Sequence, residues 1–306
     1  MKQPTPNIYR TINWSKYNQA LINRGNISIW FDPKTQWYAQ PKSKHGRNQT
    51  YSDAAIQCCL MIKSLFRLSL RMVTGFVQSL IKLCRLDWIA PDYSTNFRRQ
   101  KHIDIAIRYQ KSRDGLHLLV DSTGLKFLGE GEWKRKKHQP EYRRQWRKLH
   151  IGIDAETLQI RAVQLTTNNV SDSQVLGDLL DERINSVYTD VAYDTKHCRK
   201  VISDRQAYAV IPPRKNAKPW KDKKLRSLER NELLKTVKCL GRTIWKKWSG
   251  YHRRSLVETN KMHCIKLLGD KLSARNFQSQ VNEIHARVAV LNKFTELGRP
   301  HTRVVS

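Results

Sequence analysis

Leu116-His117-Leu118-Leu119-Val120-Asp121-Ser122-Thr123-Gly124 is the stretch at which the chain changes from a helical to an extended hydrophobic pattern. A short apolar run bounded by polar residues predicts a buried strand over 116–120, with Asp121 at its C-terminal end. A carboxylate in that place is costly unless it binds something. Downstream, 146–154 and 159–166 carry β-branched and alternating residues, and Asp154-Ala155-Glu156-Thr157 between them reads as a hairpin turn. A helix is predicted over 172–184, capped by Ser171. Strands follow at 187–192 and 208–211, with a short helix at 195–204 between them and a final helix after Tyr251. The order β, β, β, α, β, α, β, α describes an α/β fold: a mixed sheet flanked by helices.

Upstream, residues 1–50 are polar with scattered aromatics and prolines, and a short helix is predicted near 14–24. From Ser52, a good cap, Ala55, Cys58, Cys59, Ile62, Leu65 and Phe66 recur at the spacing of one buried helix face. Ser69 opens a second helix whose buried face is marked by Val73, Phe76, Val77, Leu80 and Ile81. A third, very basic one begins near Ser94 and carries Arg98, Arg99 and Lys101. Three short helices ending in a basic one resemble a helix-turn-helix module; a plain helical bundle fits the same pattern. The chain therefore divides into an N-terminal arm with a small helical DNA-binding domain (1–110), an α/β domain (111–300) and a tail (301–306). The stretch 212–250, dense in Lys and Arg and punctuated by Trp220, Trp245 and Trp248, reads as a basic insertion.

Charge selects the partner. Lys and Arg number 57 against 26 acids, a formal net charge of +31 over 306 residues. A field of that size favours counterion release from a polyanion, so nucleic acid is the expected partner. The six cysteines (58, 59, 84, 198, 239 and 264) show no C-x-x-C spacing, which indicates neither a disulfide framework nor a zinc finger. His197-Cys198 and His263-Cys264 are sequence neighbours, which on a helix diverge by about 100° and do not readily share one ion. The longest apolar run, 58–62, is far short of a membrane span. A cytoplasmic, nucleoid-associated protein without a membrane partner is expected.

Asp190 repeats the arrangement of Asp121, following Val187-Tyr188-Thr189, so two strand-end acids are expected at one edge of the sheet. Glu258 falls on a predicted helix, with Arg254 four residues before it on the same face. Three convergent carboxylates suit Mg²⁺ or Mn²⁺, hard ions that prefer oxygen. Two such ions about 3.5–4 Å apart activate a water and stabilise a leaving oxygen in displacement at phosphorus. The plain alternatives are surface acids and a simple i, i+4 pair between Arg254 and Glu258. Asp154 and Asp194 compete for the same role, but a turn explains the first and a helix N-terminus the second.

Val120-Asp121-Ser122-Thr123-Gly124-Leu125-Lys126, with Gly129-Glu130-Gly131-Glu132-Trp133 after it, resembles the first catalytic block of DDE transposases of the bacterial insertion sequence five family. Thr189-Asp190-Val191-Ala192-Tyr193-Asp194-Thr195 resembles the second block, and Tyr251, Arg254 and Glu258 match a Tyr-x2-Arg-x3-Glu signature. Trp146-Arg147-Lys148-Leu149-His150, Ile211-Pro212-Pro213-Arg214 and Pro91-Asp92-Tyr93-Ser94 are further likenesses, so that the resemblance spans roughly 12–300. It implies a ribonuclease-H-like fold, with Asp121, Asp190 and Glu258 as the catalytic, metal-binding acids. Tyr251 and Arg254 resemble residues that hold the DNA end. Arg147, Lys148 and Arg214 are candidate backbone clamps, a solvated basic face being the alternative for each. Trp245 or Trp248 is a candidate platform for an unpaired base, core packing the alternative.

Two departures stand out. Val191 occupies a position that is usually Gly in the family, and Ile265 replaces a lysine seven positions beyond the Glu. Lys261 and Lys266 are the neighbours expected to take over that contact, on a helix without a π-bulge. The resemblance implies a transposase that binds the terminal inverted repeats of its element, cuts them and joins them to target DNA, as a homo-oligomer in the DNA complex. A catalytically inactive DNA-binding repressor and a ribonuclease-H-like nuclease without strand transfer are the alternatives.

Overall fold

The structure is a computed structural model that describes residues 8–41, 48–129, 137, 145–180, 183–222, 224–257 and 267–305. In chain order its elements are β1 (Ile8–Thr11), α1 (Trp14–Arg24), α2 (Asp53–Phe66), α3 (Leu70–Leu83), α4 (Tyr93–Gln100), β2 (Leu116–Phe127), β3 (Arg147–Asp154) and β4 (Ile160–Thr167). They continue with α5 (Asp172–Val175), β5 (Ile184–Tyr188), α6 (Lys196–Ser203), β6 (Tyr208–Val210), α7 (Leu225–Trp248), β7 (Lys271–Leu272), α8 (Phe277–Leu297) and β8 (Thr302–Val305). The chain divides into two compact units, one of Met1–Arg108 with Ala286–Ser306, the other of Tyr109–His285.

In the first unit the helices start where the side chains dictate. Ser52 accepts the Ala55 N–H at 3.0 Å, Ser69 accepts that of Met72 at 3.4 Å, and Asp92 accepts that of Ser94 at 2.8 Å. Such caps are worth about 1 kcal/mol each because they satisfy backbone donors that no helical carbonyl can reach. The apolar faces of α2 and α3 meet around Ile62, Val73 and Val77, all fully buried, with Phe31 and Trp37 closing one end. Trp37 stacks on Trp88 at 4.7 Å. The helix α4 keeps Asn96 and Gln100 inside and presents Tyr93, Phe97, Arg98 and Lys101 to solvent. Where a tail is predicted at 301–306, Thr302–Val305 pairs antiparallel with β1.

The second unit is built on a mixed sheet in the order β4-β3-β2-β5-β6, with β7 against the far end of β2. β2 pairs antiparallel with β3 and parallel with β5. Leu118, Leu119 and Val120 are buried on successive sides of β2, as expected of a strand covered on both faces. One face, with Leu116, Leu118 and Val120, packs on Val175, Leu176, Leu179, Cys198 and Ile202. The predicted turn after β3 is present: Asp154 Oδ1 accepts the Glu156 N–H at 2.8 Å.

Several elements differ from the sequence expectation. The helix predicted over 172–184 is one turn, α5, continued as a 3-10 turn at Leu176–Leu179, and Ile184 already starts β5 because it pairs with Leu116. The strand predicted over 187–192 ends at Tyr188, and Val191–Tyr193 is a 3-10 turn. The basic stretch 212–250 contains α7, which is kinked at Gly241, where φ of +83° and ψ of 157° are not helical. After it comes a 3-10 turn, Tyr251–Arg254, and Val257 lies in a π-type turn; the segment of Lys261 and Lys266, expected to have no π-bulge, lies outside the described residues. No helix among the described residues is long and apolar enough to cross a membrane.

Candidate active site

Asp121 lies within β2 rather than at its end, because β2 outruns β5: β3 follows it as far as Leu125↔Arg147, whereas β5 stops at Leu119↔Tyr188. Beyond that last parallel pair, two residues further along each chain, stand Asp121 and Asp190. Parallel register thus brings the two acids to one level at the open edge of the sheet. Asp190 is extended (φ −83°, ψ −177°) and caps the following 3-10 turn, its Oδ1 accepting the Ala192 N–H at 2.9 Å.

The third part of the site comes from beyond α7. Gly250, with φ +66°, turns the chain into the left-handed region. A Cβ there would meet Tyr188 Oη at 3.8 Å, an ordinary contact, so the backbone conformation and not a lack of space calls for glycine. The 3-10 turn that follows places Arg254 on Asp121. Its Nη2 donates to Asp121 Oδ1 at 3.2 Å, and the Ser122 N–H donates to the same oxygen at 2.9 Å. Burial raises the pKa of Asp121, Arg254 and the Ser122 N–H oppose the rise, and the neighbouring charge of Asp190 adds to it. A buried carboxylate held beside a second carboxylate and balanced by one guanidinium is an arrangement that a hard cation would stabilise. The all-oxygen donor set fits Mg²⁺ or Mn²⁺. Among the described residues no three ligating side chains converge; Glu258 lies outside them, as do Lys261 and Lys266.

Asp194 is occupied otherwise. It is buried and bound by Arg199 Nε at 3.1 Å and by Arg230 Nε and Nη2, each at 2.9 Å. Burial alone would push its pKa up, but the arginine hydrogen bonds and charges prevail and hold it below the ordinary aspartate value. It works as the keystone between α6 and α7. No pattern in the sequence shows this, because Arg230 is separated from Asp194 by 36 positions.

The other residues singled out in the sequence occupy varied settings. Tyr251 packs on Trp245 at 5.5 Å, with Lys246 Nζ 5.5 Å from its ring centre. Trp245 is 6% exposed and Trp248 71%, so only the second offers a face to a base. Arg147 lies over Phe127 at 4.3 Å and Phe277 at 5.2 Å, and its Nε donates to Gln280 Oε1 at 2.8 Å. Lys148 donates to the Val170 carbonyl at 2.9 Å and to Asp172 Oδ1 at 3.3 Å. Arg214, in the loop after β6, is exposed.

Sequence reasoning missed a polar cluster formed beside Lys148. His150 is fully buried, with Nε2 2.9 Å from Thr166 Oγ1 and Nδ1 3.8 Å from Asp172 Oδ1. Burial lowers its pKa, and the Lys148 charge assists against that of Asp172, which favours the neutral ring. The alternation Lys148-x-His150 on one strand was the available signal, since both side chains then share a face.

Two family profiles, each described as a transposase DDE domain, match this chain, over residues 22–130 and 112–293. The second covers more than half of it. The chain belongs to the DDE transposase family. The mixed sheet with flanking helices is accordingly the ribonuclease-H-like fold of that family, and 112–293 of this transposase contains β2, β5 and the turn that carries Arg254.

Proposed function

We propose that this transposase, of the insertion sequence five type, binds the terminal inverted repeats of its own element and uses one site, Asp121, Asp190 and Glu258, to cut the ends and join them to target DNA. The observation that carries the proposal is the position of Asp121 on β2 and of Asp190 just beyond the end of its parallel neighbour β5, each two residues past the Leu119↔Tyr188 pair, with Arg254 on Asp121. Magnesium or manganese ions held by these acids would supply a Lewis-acid centre for phosphodiester displacement. The protein's own contribution is positional. β2 and the Asp190 cap hold two carboxylates on a rigid sheet edge, and the Tyr251–Arg254 turn brings a guanidinium that can grip a phosphate in a bidentate way.

The basic surface supplies binding. On the first unit, α4 exposes Arg98 and Lys101 beside Tyr93 and Phe97, a face suited to a DNA groove. On the second, Arg214 is a backbone clamp, and one of Lys261 and Lys266 takes over the end contact of the missing lysine. Arg147 and Lys148 act from within, bracing the sheet edge under the DNA rather than reaching out to it. Several copies of the chain assemble on the paired ends. The decisive experiment incubates the protein and Mg²⁺ with DNA carrying the repeats that flank the gene, and measures strand cleavage and joining. Cleavage without joining would reduce the protein to a nuclease; specific binding with neither would make it a repressor.

A further inference from the structure

The ribbon of β1 and β8 joins the two ends of the chain and shows both of its faces to solvent. Tyr9 and Val304 form one cross-strand pair and are 64% and 47% exposed. The next pair, Arg10 and Arg303, points to the opposite face, and both side chains are exposed. Like charges set directly across a ladder destabilise it, and a lone two-stranded ribbon is at best marginally stable in water. The residues 8–14 and 298–305 include no acid, and among the described residues neither Arg10 nor Arg303 has an ion-pair partner.

The ribbon is nevertheless mounted firmly. Asn13 Nδ2 donates to the Arg299 carbonyl at 2.9 Å while its Oδ1 accepts the His301 N–H at 2.7 Å, and the Ile12 N–H donates to the His301 carbonyl at 2.8 Å. Arg24 Nη2 reaches the Gly298 carbonyl at 3.2 Å. Gly298 passes so close to α1 that a Cβ there would lie 2.7 Å from Ala20 Cβ. A fixed ribbon with two outward arginines side by side is a preformed receptor for two neighbouring negative charges.

We propose that the β1–β8 ribbon is a separate DNA-contacting element, with Arg10 and Arg303 each neutralising a backbone phosphate of a duplex. This rests on the assignment of the chain as an end-binding transposase, and adds a contact far in sequence from the acids and from α4. A second copy of the chain is the other conceivable occupant, since ribbon edges can pair. Charge decides against it: two copies would bring four arginines together on chains of formal net charge +31, whereas phosphates relieve the repulsion already present between Arg10 and Arg303.

The test compares wild type, Arg10→Gln/Arg303→Gln and Arg10→Lys/Arg303→Lys by fluorescence anisotropy on a duplex of arbitrary sequence across a salt series. Each lost phosphate contact lowers the slope of log K against log salt by about 0.9, so the Gln variant is expected to lose about 1.8 and the Lys variant almost nothing. Removing two like charges from an exposed pair leaves folding intact, so thermal melting of the Gln variant is expected at or above that of wild type. An unchanged slope in a Gln variant that still binds DNA overturns the ribbon assignment alone. If wild type itself bound no duplex, the end-binding assignment would fall first and take this proposal with it. A change in sedimentation mass of the DNA-free Gln variant, with its salt slope unaltered, would assign the ribbon to a second copy and overturn the proposal.

Discussion

Arg254 Nη2 lies 3.2 Å from Asp121 Oδ1, joining residues 133 positions apart across the open edge of the sheet. Both side chains are mostly buried, so the pair is neither freely solvated nor dry. Arg254 favours the ionised form of Asp121 against the burial that opposes it. Replacing it with Gln therefore raises the Asp121 pKa further, and a carboxylate that must be ionised to hold a cation is then lost at higher pH. Arg254→Gln is expected to move the acid limb of the cleavage pH profile upward; a profile that keeps its position would remove Arg254 from the balance of charge at Asp121.

Asp121→Ala, Asp190→Ala and Glu258→Ala are each expected to lower cleavage by about a thousandfold or more, roughly 4 kcal/mol of barrier, while end binding stays near wild type. Gel shifts and cleavage on the same terminal-repeat DNA report the two quantities. Near-normal Mg²⁺-dependent cutting by Asp190→Ala would show that the second acid has been misassigned.

Asp194 should fail differently. Its removal leaves Arg199 and Arg230 buried without their partner, and breaking such a pair costs about 3–5 kcal/mol. Asp194→Asn is therefore expected to lower the melting temperature sharply. Because the folded pKa of Asp194 is depressed, the wild-type pair stabilises the fold above the ordinary aspartate pKa. That stabilisation is lost as pH falls through the lower folded value. Acid unfolding followed by circular dichroism should accordingly show a smaller pH dependence in Asp194→Asn than in wild type.

The two tryptophans at the end of α7 are expected to separate stability from binding. Trp245→Ala empties a buried position and costs about 3–5 kcal/mol in stability. Trp248→Ala leaves the melting temperature unchanged and weakens binding to ends with unpaired bases by about 1–3 kcal/mol, the range for stacking of one base. Equal binding of blunt and unpaired ends by wild type and Trp248→Ala would return Trp248 to the plain surface.

Binding to any duplex is expected to weaken steeply with salt, as counterions released by a chain of net charge +31 would require. An affinity that stays flat over a tenfold salt range would point to a protein partner for the basic surface.

What the sequence determined by itself was local. Helix starts at Ser52 and Ser69 were legible because a cap and its backbone donor lie within three residues. β2, β3, β4 and the Asp154 turn were legible because alternation and turn chemistry act over a few positions. Asp121 and Asp190 stood out as acids that follow apolar runs. Their shared level at the sheet edge was decided only by the parallel register of β2 and β5, in which Leu119 meets Tyr188. Tertiary contact also cut the helix predicted over 172–184 short, because Ile184 gains more from pairing with Leu116 than from another helical turn. It made Asp194 a structural anchor through Arg230, 36 positions away, and turned an expected tail into a strand by pairing Arg303 with Arg10. Periodicity and caps report only on forces between near neighbours; which distant residues share a register, a charge or a face is settled by packing.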